Sequence, residues 1–139
     1  MISPVDVLGA ISDDKSLLLF RAIASSDSEV SSDTLMTKLN MTKKQHYSRI
    51  GRLTRAKLVN RTNGKYFPTS LGKIVYETQT IIGKAVADYW KLKAVDGLEN
   101  SYSDQMPKEE YDKVVDALID NDMIKKGLRT KGRISLEIV

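Results

Sequence analysis

Asn63-Gly64 is the pair of residues that most constrains how this chain can fold. It stands between two short β-prone runs, Leu58-Val59 to Arg61 on one side and Tyr66-Phe67 on the other. Asn-Gly in that setting is the strongest local signal for a hairpin, because a type I′ turn needs positive φ at both central residues. Pro68 ends the second strand, since it cannot donate to a ladder. The segments on either side have helical period instead. The expectation is a mainly α fold with one small β-hairpin set between helices.

Those helices are legible from their ends and their apolar spacing. "SDDKSLLLFRAIASSD" can be capped by Ser12 or Asp13 and repeats Leu17, Leu18, Phe20, Ile23 and Ala24 inward. "SSDTLMTKLN" is a shorter helix, capped by Ser31 or Ser32, with Leu35, Met36 and Leu39 inward. "NMT" is a tight turn. Thr42 followed by Gln45 has the Thr-x-x-Gln form of a capping box, so the next helix starts at Lys43 and runs to about Lys57. After the hairpin, Ser70 caps one long helix reaching Val95. Its stripe of Leu71, Ile74, Val75, Thr78, Ile81, Ile82, Ala85, Val86, Tyr89, Trp90 and Leu92 predicts burial against a second copy of the chain, the residue 107–120 helix, or both. Residues 2–11 are read as a loose lead-in and "SSDSEV" as a loop. "DGLENSYSDQM" is read as a linker with Gly97 as a helix stop. Pro107 opens a further helix with Tyr111, Val114, Val115, Leu118 and Ile119 inward, and "NDMIKKGL" extends it or forms a second short one. Asp112, Asp116 and Asp120 repeat every four residues as a solvated face. The end, "RTKGRISLEIV", is read as a frayed tail or a short edge strand.

Charge is distributed unevenly. Residues 38–73 hold ten basic side chains and no acid, whereas residues 1–37 hold two basic and six acidic ones. The remainder, residues 74–139, is close to balanced, with ten basic and twelve acidic. A block of this kind concentrates positive potential, and phosphate is its commonest partner. The chain has no cysteine, which excludes disulfides and thiolate metal sites and fits a reducing, cytoplasmic setting. With a single histidine, His46, a zinc site is excluded too. No apolar run approaches a membrane span, and the early acids do not suit a secretory signal. Paired carboxylates, a glycine-rich phosphate loop and a flanked nucleophile are all missing, so the expectation is a protein that is not an enzyme and uses no cofactor or metal.

The order helix, helix, tight turn, helix, hairpin, long helix is that of a winged helix-turn-helix with an extension. The stretch "LMTKLNMTKKQHYSRIGRLTRAKLVNRTNGKYFPTSLGKIVYE" resembles the winged-helix transcriptional regulators of archaea and bacteria, in the broad ArsR/MarR-like group, and the pattern extends over roughly residues 14 to 92. Ala56-Lys57-Leu58-Val59 departs from that group's Ala-Gly-Leu-Ile-like helix exit, with Lys in place of Gly. The resemblance implies DNA binding through the helix that starts at Lys43. It also implies a wing that reaches the minor groove or the neighbouring backbone, with Arg61, Asn63 and Lys65 as its candidates.

An angular reading of the Lys43 helix agrees. At about 100° per residue, His46, Ile50 and Leu53 form the inward stripe. Lys44, Gln45, Ser48, Gly51, Arg52 and Arg55 fall on the opposite half, and Tyr47 and Arg49 flank the boundary. His46 is therefore a core residue. Lys43, Lys44, Gln45, Tyr47 and Ser48 are the candidates for reading base edges, while Thr42, Arg49, Arg52 and Arg55 would hold the sugar-phosphate backbone.

The expected organisation is a DNA-binding domain over residues 12–70, a long helix over 71–96 for dimerisation, and a C-terminal helical extension over 104–128. Ile74, Ile81, Ile82, Val86, Tyr89 and Trp90 are the dimerisation candidates of an expected homodimer on duplex DNA, which implies a near-palindromic site. No pattern points to a small-molecule effector. The rival expectation is a winged-helix docking module in a larger assembly, with an acidic protein meeting the same charge block. An RNA-binding reading lacks the interleaved surface aromatics that stacking needs.

Overall fold

The computed structural model of the chain describes residues 1–26, 29–102 and 107–129. Among the described residues it is mainly helical, with a small three-stranded antiparallel sheet. The chain separates into two compact units, Met1–Thr78 and Gln79–Val139. No helix among the described residues is long and apolar enough to cross a membrane.

The first unit opens with α1 (Pro4–Ala10), where the sequence reading expects only a loose lead-in. Ser3 accepts from the Asp6 N–H and Asp6 accepts from the Ser3 N–H, a reciprocal capping box, and Pro4 occupies the first turn where its missing N–H costs nothing. α2 (Asp14–Ala24) is capped by Asp13, and it buries Leu19, Phe20 and Ile23 while Leu18 is left exposed. Phe20 and Ile23 are inward as expected, whereas Leu19 takes the place expected of Leu18. β1 (Val30–Ser31) lies in the stretch read as a loop, and Ser31 then caps α3 (Ser32–Leu39). Asn40 takes the left-handed conformation and closes α3.

α4 (Lys43–Arg55) starts where the capping box predicts, with Thr42 and Gln45 bonded reciprocally. Its exit is a Schellman turn: the Leu58 N–H donates to the Leu53 carbonyl, and Lys57 stands at φ 64 in the position where glycine is commonest. β2 (Val59–Thr62) and β3 (Lys65–Pro68) form the expected hairpin, with Asn63 at φ 53 and Gly64 at φ 76, both positive as a type I′ turn requires. β3 is central in the order β1-β3-β2, so Tyr66 faces Val30 on one side and Arg61 on the other. The core gathers Leu19, Phe20, Ile23, Leu35, Leu53, Leu58, Val59 and Tyr66, each essentially inaccessible to solvent. Burial of that kind contributes about 1.5–3 kcal/mol per large apolar side chain.

α5 (Ser70–Ala87) is capped by Thr69 rather than by Ser70, because the Thr69 hydroxyl accepts from the Gly72 N–H and donates to the Lys57 carbonyl. The single long helix of the sequence reading is divided at Asp88, after which α6 (Tyr89–Tyr102) continues past Gly97 into the segment read as a linker, whose residues 103–106 lie outside the described residues. α7 (Lys108–Leu118) begins one residue after Pro107, and α8 (Asp122–Arg129) is a separate short helix whose first N–H groups are accepted by Asn121 Oδ1. The second core joins Val95, Tyr111, Val115, Ile119 and Ile124, with Ile81, Ala85 and Leu92 packed against it. Asp116 and Asp120 are exposed, as expected of a solvated face, and Asp112 is half-buried; Arg129 of α8 pairs with Asp112 and Asp116, and Lys125 lies 3.6 Å from Asp116. The expected tail from residue 130 onward lies outside the described residues.

Candidate nucleic-acid interface

The geometry of α4 follows from its inward stripe. His46, Ile50 and Leu53 are buried, as their spacing predicts. That leaves Thr42, Lys43, Lys44, Tyr47, Ser48 and Arg55 exposed on the outer side. None of Lys43, Lys44 or Arg55 has a carboxylate partner among the described residues, so their charge is available to an incoming anion. The single mid-helix glycine, Gly51, lies on the same side.

His46 links this helix to the hairpin. Its ring meets Tyr47 edge-on with centroids 4.9 Å apart and Tyr66 with centroids 5.8 Å apart. The Tyr66 hydroxyl is hydrogen-bonded to Ser32 of α3 at 2.9 Å, and the Arg61 guanidinium stands 5.7 Å from the Tyr66 ring centroid. Tyr66, which the sequence reading treats only as a strand residue, thus anchors the hairpin to α3 and α4. Neither ring nitrogen of His46 has a hydrogen-bond partner among the described residues. Burial, with the nearby Arg61 charge adding to it, holds the imidazole below its ordinary pKa and therefore neutral. Arg61, Asn63 and Lys65 are all exposed on the hairpin.

Besides Thr42 in its capping box, three of the expected contact residues have hydrogen-bonding or ionic partners within the chain. Arg49 Nε lies 3.6 Å from Asp13 Oδ1, and Arg52 Nη2 lies 3.4 Å from Asp13 Oδ2. Arg49 also donates to the Gln45 carbonyl at 3.4 Å. Hydrogen bonding to Asp13 from the Ser16 backbone N–H and the Ser16 hydroxyl, together with the two guanidiniums, keeps that carboxyl below its ordinary value against the opposing effect of partial burial. Gln45 is the third. Its Oε1 accepts from the Thr42 N–H at 3.1 Å, which leaves one lone pair of that oxygen and the amide nitrogen for a base. The two-bond pattern that glutamine makes with adenine needs both atoms. In this conformation Gln45 caps the helix, and any base contact would share its Oε1 with the Thr42 N–H.

Arg52 and Arg55 also line a groove of about 440 Å³ with Ile2, Val5, Asp6, Gly9, Ala10 and Ala56. The C-terminal end of α4 therefore borders α1. The role of Asp13 is invisible to local sequence reading, because nothing near residue 13 says which cation it will meet.

Of the dimerisation candidates, Ile82, Val86, Tyr89 and Trp90 are exposed in the second unit, and Lys93 Nζ stands 5.5 Å from the Trp90 ring centroid. Ile74 is exposed in the first unit. Ile81 is different, since it packs against the second core of its own chain. Among the described residues no three His, Cys, Asp or Glu side chains are placed to hold a metal ion. No family model, no curated protein and no solved structure matches this chain.

Proposed function

We propose that the chain is a sequence-specific duplex DNA-binding transcriptional regulator of the winged helix-turn-helix type, with α3 and α4 as the helix-turn-helix and the β2–β3 hairpin as the wing. The observation that carries the reading is the exposed, acid-free surface of α4: Lys43, Lys44, Tyr47, Ser48 and Arg55 stand outward above a buried His46-Ile50-Leu53 stripe. A helix presented in this way suits a major groove, with short polar side chains and lysines against base edges. Arg61 and Lys65 on the hairpin fit the adjacent backbone or minor groove.

Arg49 and Arg52 are secondary contacts in this reading. Their shared partner Asp13 is itself partly exposed, and exposed pairs are worth only about 0.2–1 kcal/mol. A phosphate can therefore displace it at little cost. The exposed Ile82, Val86, Tyr89 and Trp90 support a homodimer formed with a second copy, which would present two equivalent binding helices to a near-palindromic site.

The test is a selection of bound duplexes from a random pool, followed by a salt titration on the recovered sequence and on an unrelated one. The expected result is a near-palindromic motif, with affinity for both duplexes falling as a power of salt concentration. Absence of measurable duplex affinity at low salt would overturn the reading in favour of an acidic protein partner at the same surface.

A further inference from the structure

Glycine is the poorest helix former after proline and makes a helix interior less stable than alanine does. Gly51 sits in the middle of α4 without positive φ. Packing does not explain it either. A Cβ at Gly51 would meet no backbone and no core atom, only the Arg55 side chain, with Nη1 at 3.2 Å and Cζ at 4.0 Å. Gly72 shows the opposite case, since a Cβ there would run into the Leu58 carbonyl. The reason for Gly51 therefore lies on the outer surface of the helix.

At about 100° per residue, Lys44, Ser48, Gly51 and Arg55 form the ridge farthest from the buried stripe. Helical side chains lean toward the N-terminus and onto the residue one turn earlier. The Arg55 guanidinium does this and lies over Gly51. Among the described residues it has no ion pair. The nearest acid in the shared groove, Asp6, accepts from the Ser3 N–H in the α1 capping box.

We infer that Gly51 is a positioning residue: it opens a notch on the outer ridge of α4 that the Arg55 guanidinium occupies, and so directs that cation at the duplex. The inference rests on the DNA-binding reading and changes one part of it. Arg55, expected only to clamp backbone, becomes part of the surface that enters the groove. A methyl at residue 51 would lift the guanidinium by a few tenths of an ångström or swing it aside, and would widen the ridge where α4 approaches DNA.

The experiment compares wild type, Gly51→Ala, Arg55→Ala and the double variant for thermal melting by circular dichroism and for affinity to the selected duplex. Gly51→Ala is expected to melt a few degrees higher, because alanine favours the helix, yet to bind about tenfold more weakly. Arg55→Ala should lose a similar factor, and the double variant should bind no more weakly than Arg55→Ala alone. A Gly51→Ala protein that binds within twofold of wild type overturns the inference and leaves the DNA-binding reading standing. So does a further tenfold loss on adding Gly51→Ala to Arg55→Ala, which would mean the glycine acts without the arginine. A variant that melts lower as well as binding weakly would make the role structural and also overturn it. Absence of duplex affinity in the wild-type protein itself would remove both readings together.

Discussion

Asp13 Oδ2 lies 3.4 Å from Arg52 Nη2, and its other carboxylate oxygen lies 3.6 Å from Arg49 Nε. One acid from the cap of α2 thus meets two of the ten cations in the acid-free block. The same carboxylate also accepts from the Ser16 N–H and hydroxyl, so it caps α2 and holds two arginines at once. Its position partly neutralises the flank of α4 that carries Arg49 and Arg52, while Lys43 and Lys44 in the first turn have no such partner. Lys43, Lys44 and Arg55 of α4 keep their charge without an ion-pair partner among the described residues.

Replacing Asp13 with serine keeps a good N-cap and removes the charge. Asp13→Ser should therefore bind random duplex about three- to tenfold more tightly at low salt. Its log–log salt dependence should steepen by about one to two units, as two arginines become free for phosphate. Anisotropy titrations between low and moderate salt measure both quantities. An unchanged slope would mean that Arg49 and Arg52 do not face the duplex.

His46 sets a pH dependence of folding. Its folded pKa lies below that of an unfolded histidine, so the unfolded chain binds the proton first as pH falls. The stability contributed by the neutral buried ring is complete above the ordinary histidine value of 6.5 and is lost as pH drops toward the folded value. His46 is the only histidine, so no other imidazole contributes in this window. Urea midpoints at pH 7.5 and 5.5 should differ clearly in wild type. In His46→Leu, which cannot take up the proton, that difference should shrink.

Lys57 at φ 64 carries a Cβ in the left-handed region, which is unfavourable for any residue but glycine. Lys57→Gly removes that strain at the cost of a more flexible unfolded chain, for a net gain of about 0.5–1 kcal/mol. A higher urea midpoint with unchanged m-value is the expected signature. A lower midpoint would show that the Lys57 side chain contributes more than its backbone costs.

Gly72 behaves in the opposite way. A Cβ there would stand 2.1 Å from the Leu58 carbonyl oxygen, which already accepts from the Thr69 N–H. Gly72→Ala must push α5 away from the exit of α4, which should cost about 2–3 kcal/mol. Calorimetry or urea unfolding would register the loss. A neutral variant would mean that this junction adjusts freely.

What could be read from residue order is what neighbours within a few positions impose on one another. The Thr42–Gln45 capping box started α4 at the expected residue, Asn63-Gly64 turned the hairpin, and three- and four-residue spacing placed His46, Ile50 and Leu53 inward. The Ser3–Asp6 capping box after which α1 forms was equally legible, but the shortness of that segment argued against a helix. Gln45 carries two expectations on one side chain, and its capping bond to Thr42 uses one lone pair of Oε1. Other features depend on residues far apart along the chain. Val30 finds Tyr66, Asp13 finds Arg52 across 39 positions, and Asp112 and Asp116 find Arg129. No local periodicity encodes which strand an isolated Val-Ser pair will join, or which of ten cations an acid will meet. Those pairings form once the core has brought distant segments together, because a hydrogen bond or ion pair extends only a few ångströms while the chain between the partners can close in many ways.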